Sequence, residues 1–196
     1  MKNKVLMGLA TIAIVAFLSS CGKVPQAEID ATNAAIENAK TNEAAVYVPV
    51  EFAAVQDSMN AVNAEMEGQK SKLFKKFGPA KAKLEATQAL ATQVAANAVT
   101  KKEEVKKEAE TLLTEIKTVI EENAKLITKA PRGKDGAAVI AQIKTDIATI
   151  DSSVVEAQGL YDKGAYMDSL NKINAAIERA TGINTELKEA IAKVRR

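Results

Sequence analysis

The chain contains no histidine and no tryptophan, and a single cysteine, Cys21. Without imidazole there is no His-based general acid or base and no histidine metal ligand, and one thiol cannot build a cysteine metal site. The missing indole removes the ring platforms on which sugars often stack. One cysteine also means no intrachain disulfide, so apolar packing must hold the fold even in an oxidising compartment. Aromatic residues make up 4% of the chain, and proline is confined to Pro25, Pro49, Pro79 and Pro131. Each proline stands at or just before a segment of helical periodicity, where its fixed φ and absent N–H are tolerated. The stretches between them are rich in Ala, Lys and Glu and poor in β-branched alternation, which predicts an all-α class. Ser, Lys and carboxylates remain as chemical groups, but no constellation of them argues for catalysis, so no enzyme and no cofactor are expected.

What is present begins with a signal-like start. Lys2 and Lys4 precede an apolar run from Val5 to Leu18, closed by small residues. That run falls short of the roughly 20 residues a helix needs to cross a bilayer, and matches an export signal over residues 1–20. The tetrapeptide Leu18-Ser19-Ser20-Cys21 resembles the lipobox of bacterial lipoproteins. The resemblance implies cleavage before Cys21, a thioether from its thiol to a diacylglycerol, and acylation of the new amino group by a palmitate-like chain. The alternative is an ordinary signal followed by a free cysteine. Two or more acyl chains at about 0.8 kcal/mol per buried CH₂ make such an anchor effectively permanent. Gly22 stands where inner-membrane retention in some bacteria resembles an Asp signal, which favours the outer membrane, with the helical part in the periplasm. Removal of residues 1–20 takes two of the 27 basic residues and none of the 25 acidic ones, so the signs then balance. No nucleic-acid partner is indicated.

After a tether over 21–25, helical segments follow in order. The first is expected from Pro25 to Glu43, with Ile29, Ile36 and Ala39 on one side. The second, from Pro49, carries Phe52, Val55, Met59, Val62 and Met66 at three-four spacing, a packing seam. The third begins at Pro79 with Ala80, Leu84, Ala91, Val94 and Ala98. Thr100-Lys101-Lys102-Glu103 matches a capping box, which would start a new helix. No Gly or Pro interrupts 80–130, however, so one continuous helix of about 50 residues, roughly 75 Å, is preferred. Its second half is expected to bury Val105, Ala109, Leu112, Ile116, Val119 and Ile127. A fourth helix has Ile140, Ile143, Ile147, Ile150, Val154, Ala157 and Tyr161. A fifth has Tyr166, Leu170, Ile173, Ile177, Ala180, Leu187, Ile191 and Val194. Gly164 suits a left-handed cap between them, Tyr166 can fold over that turn, and Ser169 permits close crossing.

The two hairpins echo one another. Phe52 to Phe77 spans 25 residues and Ile140 to Tyr166 spans 26, and Leu84 and Ile173 each lie seven residues past the closing aromatic. Coincidence between Ala-rich amphipathic hairpins explains this as well as duplication does. The expected architecture is an elongated antiparallel helical bundle. It comprises two three-helix units, 26–98 and 99–196, that share one long central helix and are similar in arrangement to spectrin repeats. Tyr47-Val48-Pro49-Val50-Glu51-Phe52 with Phe77-Gly78-Pro79-Ala80 resembles a family of bacterial lipoproteins carrying an Ala-rich helical-hairpin domain of unknown function. That pattern has Ala where Val48 stands, and its Gly-Asp-Tyr turn is better matched by Gly164-Ala165-Tyr166, which is also similar to tetratricopeptide hairpins. The family supplies no chemistry to transfer.

Helix alternation puts the first hairpin's turn beside the membrane. It holds Lys70, Lys72, Lys75, Lys76, Lys81 and Lys83 with Phe74 and Phe77, and no acid lies between Glu67 and Glu85. These eight residues are the candidate membrane-surface contact. The competing reading, favoured because charge runs are usually solvated faces, is a hydrated hairpin end with both Phe side chains turned inward. Lys129, Arg132, Lys134, Lys193, Arg195 and Arg196 are expected to meet at the far end as a distal basic tip, facing peptidoglycan carboxylates or an acidic partner. The function expected is a lipid-anchored envelope spacer or protein-interaction module, open to self-association. The alternative is an accessory subunit of an envelope transport or assembly complex.

Overall fold

Wherever the periodicity of the sequence predicts a helix, the computed structural model has one. It describes residues 23–133 and 136–194, and all secondary structure among them is helical: α1 Gln26–Thr41, α2 Ala44–Tyr47, α3 Pro49–Lys70, α4 Gly78–Lys129, α5 Gly136–Asp162 and α6 Tyr166–Val194. Leu18, Ser19, Ser20, Cys21, Lys134, Arg195 and Arg196 lie outside the described residues. No described helix is long and apolar enough to cross a membrane. The chain divides into two compact units between Lys101 and Lys102, where the repeat pattern puts the division at 98/99.

Unit 1 is built from α1 to α3 and the part of α4 up to Lys101. All five seam residues of α3 are buried, and they join Ala80, Leu84, Ala91, Val94 and Ala98 of α4 in one apolar cluster. The small residues of α4 let the helices approach closely, and Ile36 and Ala39 of α1 close the third side. Buried Thr32 ties α1 to α4. Its hydroxyl donates to the Glu28 carbonyl at 2.7 Å and lies 3.1 Å from the Leu84 carbonyl. The first helix is shorter than expected, because Glu43 adopts a left-handed conformation (φ 58°) that ends α1 and starts the single turn of α2. A non-glycine residue in that region costs about 1–2 kcal/mol.

At Thr100 the hydroxyl donates back to the Ala96 carbonyl at 3.1 Å, an interior helix contact rather than a cap, and α4 continues through it. The capping-box pattern is therefore coincidental.

Unit 2 contains α4 from Lys102, together with α5 and α6. Val105, Ala109, Ile116 and Ile127 are buried as expected, but Leu113 takes the core position expected of Leu112, which is half-buried. Adjacent apolar residues lie about 100° apart on a helix, so only the partner helices decide which one faces inward. Val119, Ile147, Tyr161, Tyr166, Ile177 and Ile191 are likewise half-buried at the flanks of the seam, because two neighbours cover only part of each helix; Ile140, Ile143, Ile150, Val154, Ala157, Leu170, Ile173, Ala180 and Leu187 are buried. The centre is polar. Asn123 donates to the Ala180 carbonyl at 2.8 Å and accepts from the Asn184 amide at 2.8 Å. The α5–α6 turn is a Schellman motif: Gly164 has φ 82°, its N–H reaches the Tyr161 carbonyl, and the Ala165 N–H reaches the Leu160 carbonyl. Ser169 is fully buried and donates to the Ala157 carbonyl at 2.7 Å, which replaces side-chain bulk with a hydrogen bond at the crossing.

Candidate functional site: the 71–77 hairpin tip

The turn joining α3 to α4 is held by few contacts. Ser71 folds its hydroxyl onto the Gly68 carbonyl at 3.1 Å, and Gln69 serves both strands of the loop. Its carbonyl accepts from the Lys72 N–H at 3.1 Å, and its side-chain oxygen accepts from the Lys76 N–H at 3.4 Å. Helix then resumes as the Lys81 N–H reaches the Phe77 carbonyl at 2.9 Å. Phe77 is 1% exposed and caps the apolar cluster, so one of the turn's two phenylalanines plugs the end of unit 1.

Leu73 and Phe74 do the reverse. They are 91% and 80% exposed, adjacent, and flanked by exposed Lys72, Lys75 and Lys76. Phe77, buried in the core, therefore drops out of the eight candidate membrane-contact residues, and the inward placement favoured for both phenylalanines holds for Phe77 and not for Phe74. Only Phe77, directly before α4, reaches the apolar cluster; Phe74 lies farther out in the turn. The only sequence signal for Leu73 is its position between the candidates Lys72 and Phe74.

The six candidate lysines fall into two sets. Lys70 pairs with Glu67 at 2.6 Å, Lys81 with Glu28 at 2.5 Å and Lys83 with Glu65 at 2.5 Å. Lys72, Lys75 and Lys76 form no ion pair among the described residues, so the local positive charge is concentrated on the loop beside the two apolar side chains. The Glu28–Lys81 pair is the better shielded contact. The hydrogen bond from Lys81 holds the Glu28 carboxyl below its usual range, and Glu28 raises the Lys81 ammonium above its own. It also has a topological consequence: the first turn of α1 lies against the first turn of α4. Pro25, just before α1, therefore stands at the end of unit 1 that carries the tip.

In unit 2, Lys129 lines a shallow groove with Leu126, Lys188, Ile191 and Ala192, which brings the ends of α4 and α6 together; Arg132 and Lys193 are exposed. Lys188 is engaged by Glu122 at 3.0 Å, and its hydrogen bond lowers the Glu122 carboxyl from the usual value. The opposite turn of this unit carries a cluster that sequence patterning did not isolate. The Tyr161 and Tyr166 rings are 5.2 Å apart at 60°, and the Lys106 ammonium is 5.6 Å and the Lys102 ammonium 6.0 Å from the Tyr166 ring. Burial, followed by the Glu110 charge, raises the Tyr161 hydroxyl. Among the described residues no group of three or more Cys, Asp or Glu is arranged to hold a metal ion.

Compared with protein-family models, with curated proteins and with solved structures, the chain matches none.

Proposed function

We propose that this chain is a bacterial lipoprotein, anchored through acyl chains on Cys21 and working in the cell envelope as a helical spacer or protein-interaction module without catalytic activity. The observation that carries the reading is the agreement of two independent features. The lipobox-like Leu18-Ser19-Ser20-Cys21 precedes a tether that, from Cys21 to Pro25, reaches no more than about 15 Å. The Glu28–Lys81 contact at 2.5 Å puts the first turn of α1 at the same end of unit 1 as the cationic 71–77 tip. An anchor and a membrane-compatible surface at one end of unit 1 suit a protein held close to lipid, and the outer membrane is the favoured address.

A second reading, an accessory subunit of an envelope transport or assembly complex, draws on the half-buried Tyr161–Tyr166 pair, since aromatic residues are enriched in protein interfaces. Metabolic labelling with a fatty-acid analogue tests the anchor: incorporation is expected in the wild-type chain and lost on Cys21→Ala, and retention of label in that variant refutes it. Detergent extraction then separates the two roles. Self-association alone supports the spacer, and a stoichiometric partner supports the subunit.

A further inference from the structure

Exposed aliphatic side chains are scattered over the surface: Val50 (82%) starts α3 and Val155 (72%) lies within α5. Neither adjoins another large exposed apolar residue in the chain, and single apolar surface residues are normal. Leu73 and Phe74 differ in three respects. They are neighbours, they occupy the outermost point of a hairpin, and three lysines without an acidic partner among the described residues surround them. Nothing in the packing of unit 1 requires them, because Phe77 already closes the core. In water the pair is a cost in solubility, and the turn could carry polar residues at no loss to the fold.

We propose that Leu73 and Phe74 form a wedge that enters the acyl region of an anionic phospholipid bilayer while Lys72, Lys75 and Lys76 bind the headgroup phosphates. The inference rests on the anchored reading above, and extends it from proximity to insertion. The chemistry favours a bilayer over a protein. A stable protein interface needs roughly 800 Å² of matched surface on each partner, whereas a bilayer accepts a small wedge anywhere on its surface. The charge pattern has the same preference. Lysines beside an anionic leaflet are attracted without fixed geometry, and a Phe among them partitions into the headgroup–acyl boundary that lysine ammonium groups do not enter. The paired lysines fit the division of labour, since Lys70, Lys81 and Lys83 are satisfied within the protein and leave the loop lysines to the lipid. With the start of α1 at this same end, insertion would orient unit 1 on the membrane surface.

The chain has no tryptophan, so a single substitution reports one place. Full-length Phe74→Trp, extracted from membranes in detergent, is reconstituted into vesicles of phosphatidylcholine with and without phosphatidylglycerol, some carrying brominated acyl chains. The expected result is blue-shifted emission quenched by the bromines, stronger with phosphatidylglycerol and weakened by salt. Val50→Trp, at the other end of α3, stays water-like. Each of Lys72→Gln, Lys75→Gln and Lys76→Gln in the Phe74→Trp background lowers the ratio of inserted to free tip about fivefold. Emission from Phe74→Trp that stays water-like and unquenched while the protein floats with anionic vesicles overturns insertion and leaves the anchor standing. Quenching in a protein that carries no fatty-acid label supports insertion and removes the anchor. A protein that stays in the aqueous phase overturns both.

Discussion

Two phenylalanines three residues apart provide a direct test of how the tip is built. Phe77 is 1% exposed within the cluster that contains Met66, Ala80 and Leu84, whereas Phe74 is 80% exposed. Truncating a buried Phe to Ala removes its transfer free energy and leaves a cavity, together about 3–5 kcal/mol. Phe77 sits at the margin of the core, where the adjoining loop can settle partly into the space, so the lower end, about 3 kcal/mol, is expected for Phe77→Ala. Phe74→Ala removes little buried surface and should stay within about 0.5 kcal/mol of wild type. For a domain of this size each kcal/mol moves the melting temperature by roughly 4–8 °C, so Phe77→Ala should lower the transition of unit 1 by about 12–24 °C. Urea titration followed by circular dichroism, with amide exchange of α3 peptides to isolate unit 1, makes the measurement. A loss below about 1 kcal/mol for Phe77→Ala, or above it for Phe74→Ala, would refute the assignment of the two rings and with it the exposed wedge.

In unit 2, Asn123→Ala deletes two buried hydrogen bonds and leaves the Asn184 amide without its acceptor, for an expected loss of about 2–4 kcal/mol. Asn123→Leu combined with Asn184→Leu should recover most of that loss, so a double-mutant cycle by urea titration should show strong coupling, and additive effects would contradict the network. The Glu28–Lys81 pair predicts a pH dependence of set sign. Glu28 is held below its ordinary value near 4.5, so the stability it contributes is present above that value and lost as pH falls through its folded value. Lys81 is raised, so its contribution is present below its ordinary value near 10.5 and lost as pH climbs through the folded one. The protection of α1 amides, taken relative to the intrinsic exchange rate at each pH, should therefore fall in acid before that of α3 amides, and Glu28→Gln should flatten the dependence; an unchanged acid profile in that variant would count against the pair.

The helices and most core positions were legible because helical periodicity is a local property. The α3 seam from Phe52 to Met66 could be read directly, since a three-four spacing puts residues on one face whatever packs against it. The lapses share a cause. Leu112 and Leu113 are equivalent until neighbours are in place. Asn123 looks like a surface residue until Ala180 and Asn184 are seen to satisfy it. The left-handed Glu43 carries no glycine to announce it. In the tip, the lysines were evident as a charge run, but their division into paired and unpaired sets depends on Glu28, Glu65 and Glu67, two of which come from outside the turn's own flanking residues.

What composition and pattern decided is the class of protein. The absence of His, disulfides and Trp, the placement of four prolines and the Ala/Lys/Glu background leave helices as the means of burying apolar surface, and the 18–21 tetrapeptide supplies the expectation of an anchor. Only tertiary packing could decide which way the turn faces. A loop has no repeating geometry to assign its side chains to a face, so the directions of Phe74 and Phe77 follow from where α3 stops, where α4 resumes and which space the core leaves to be filled.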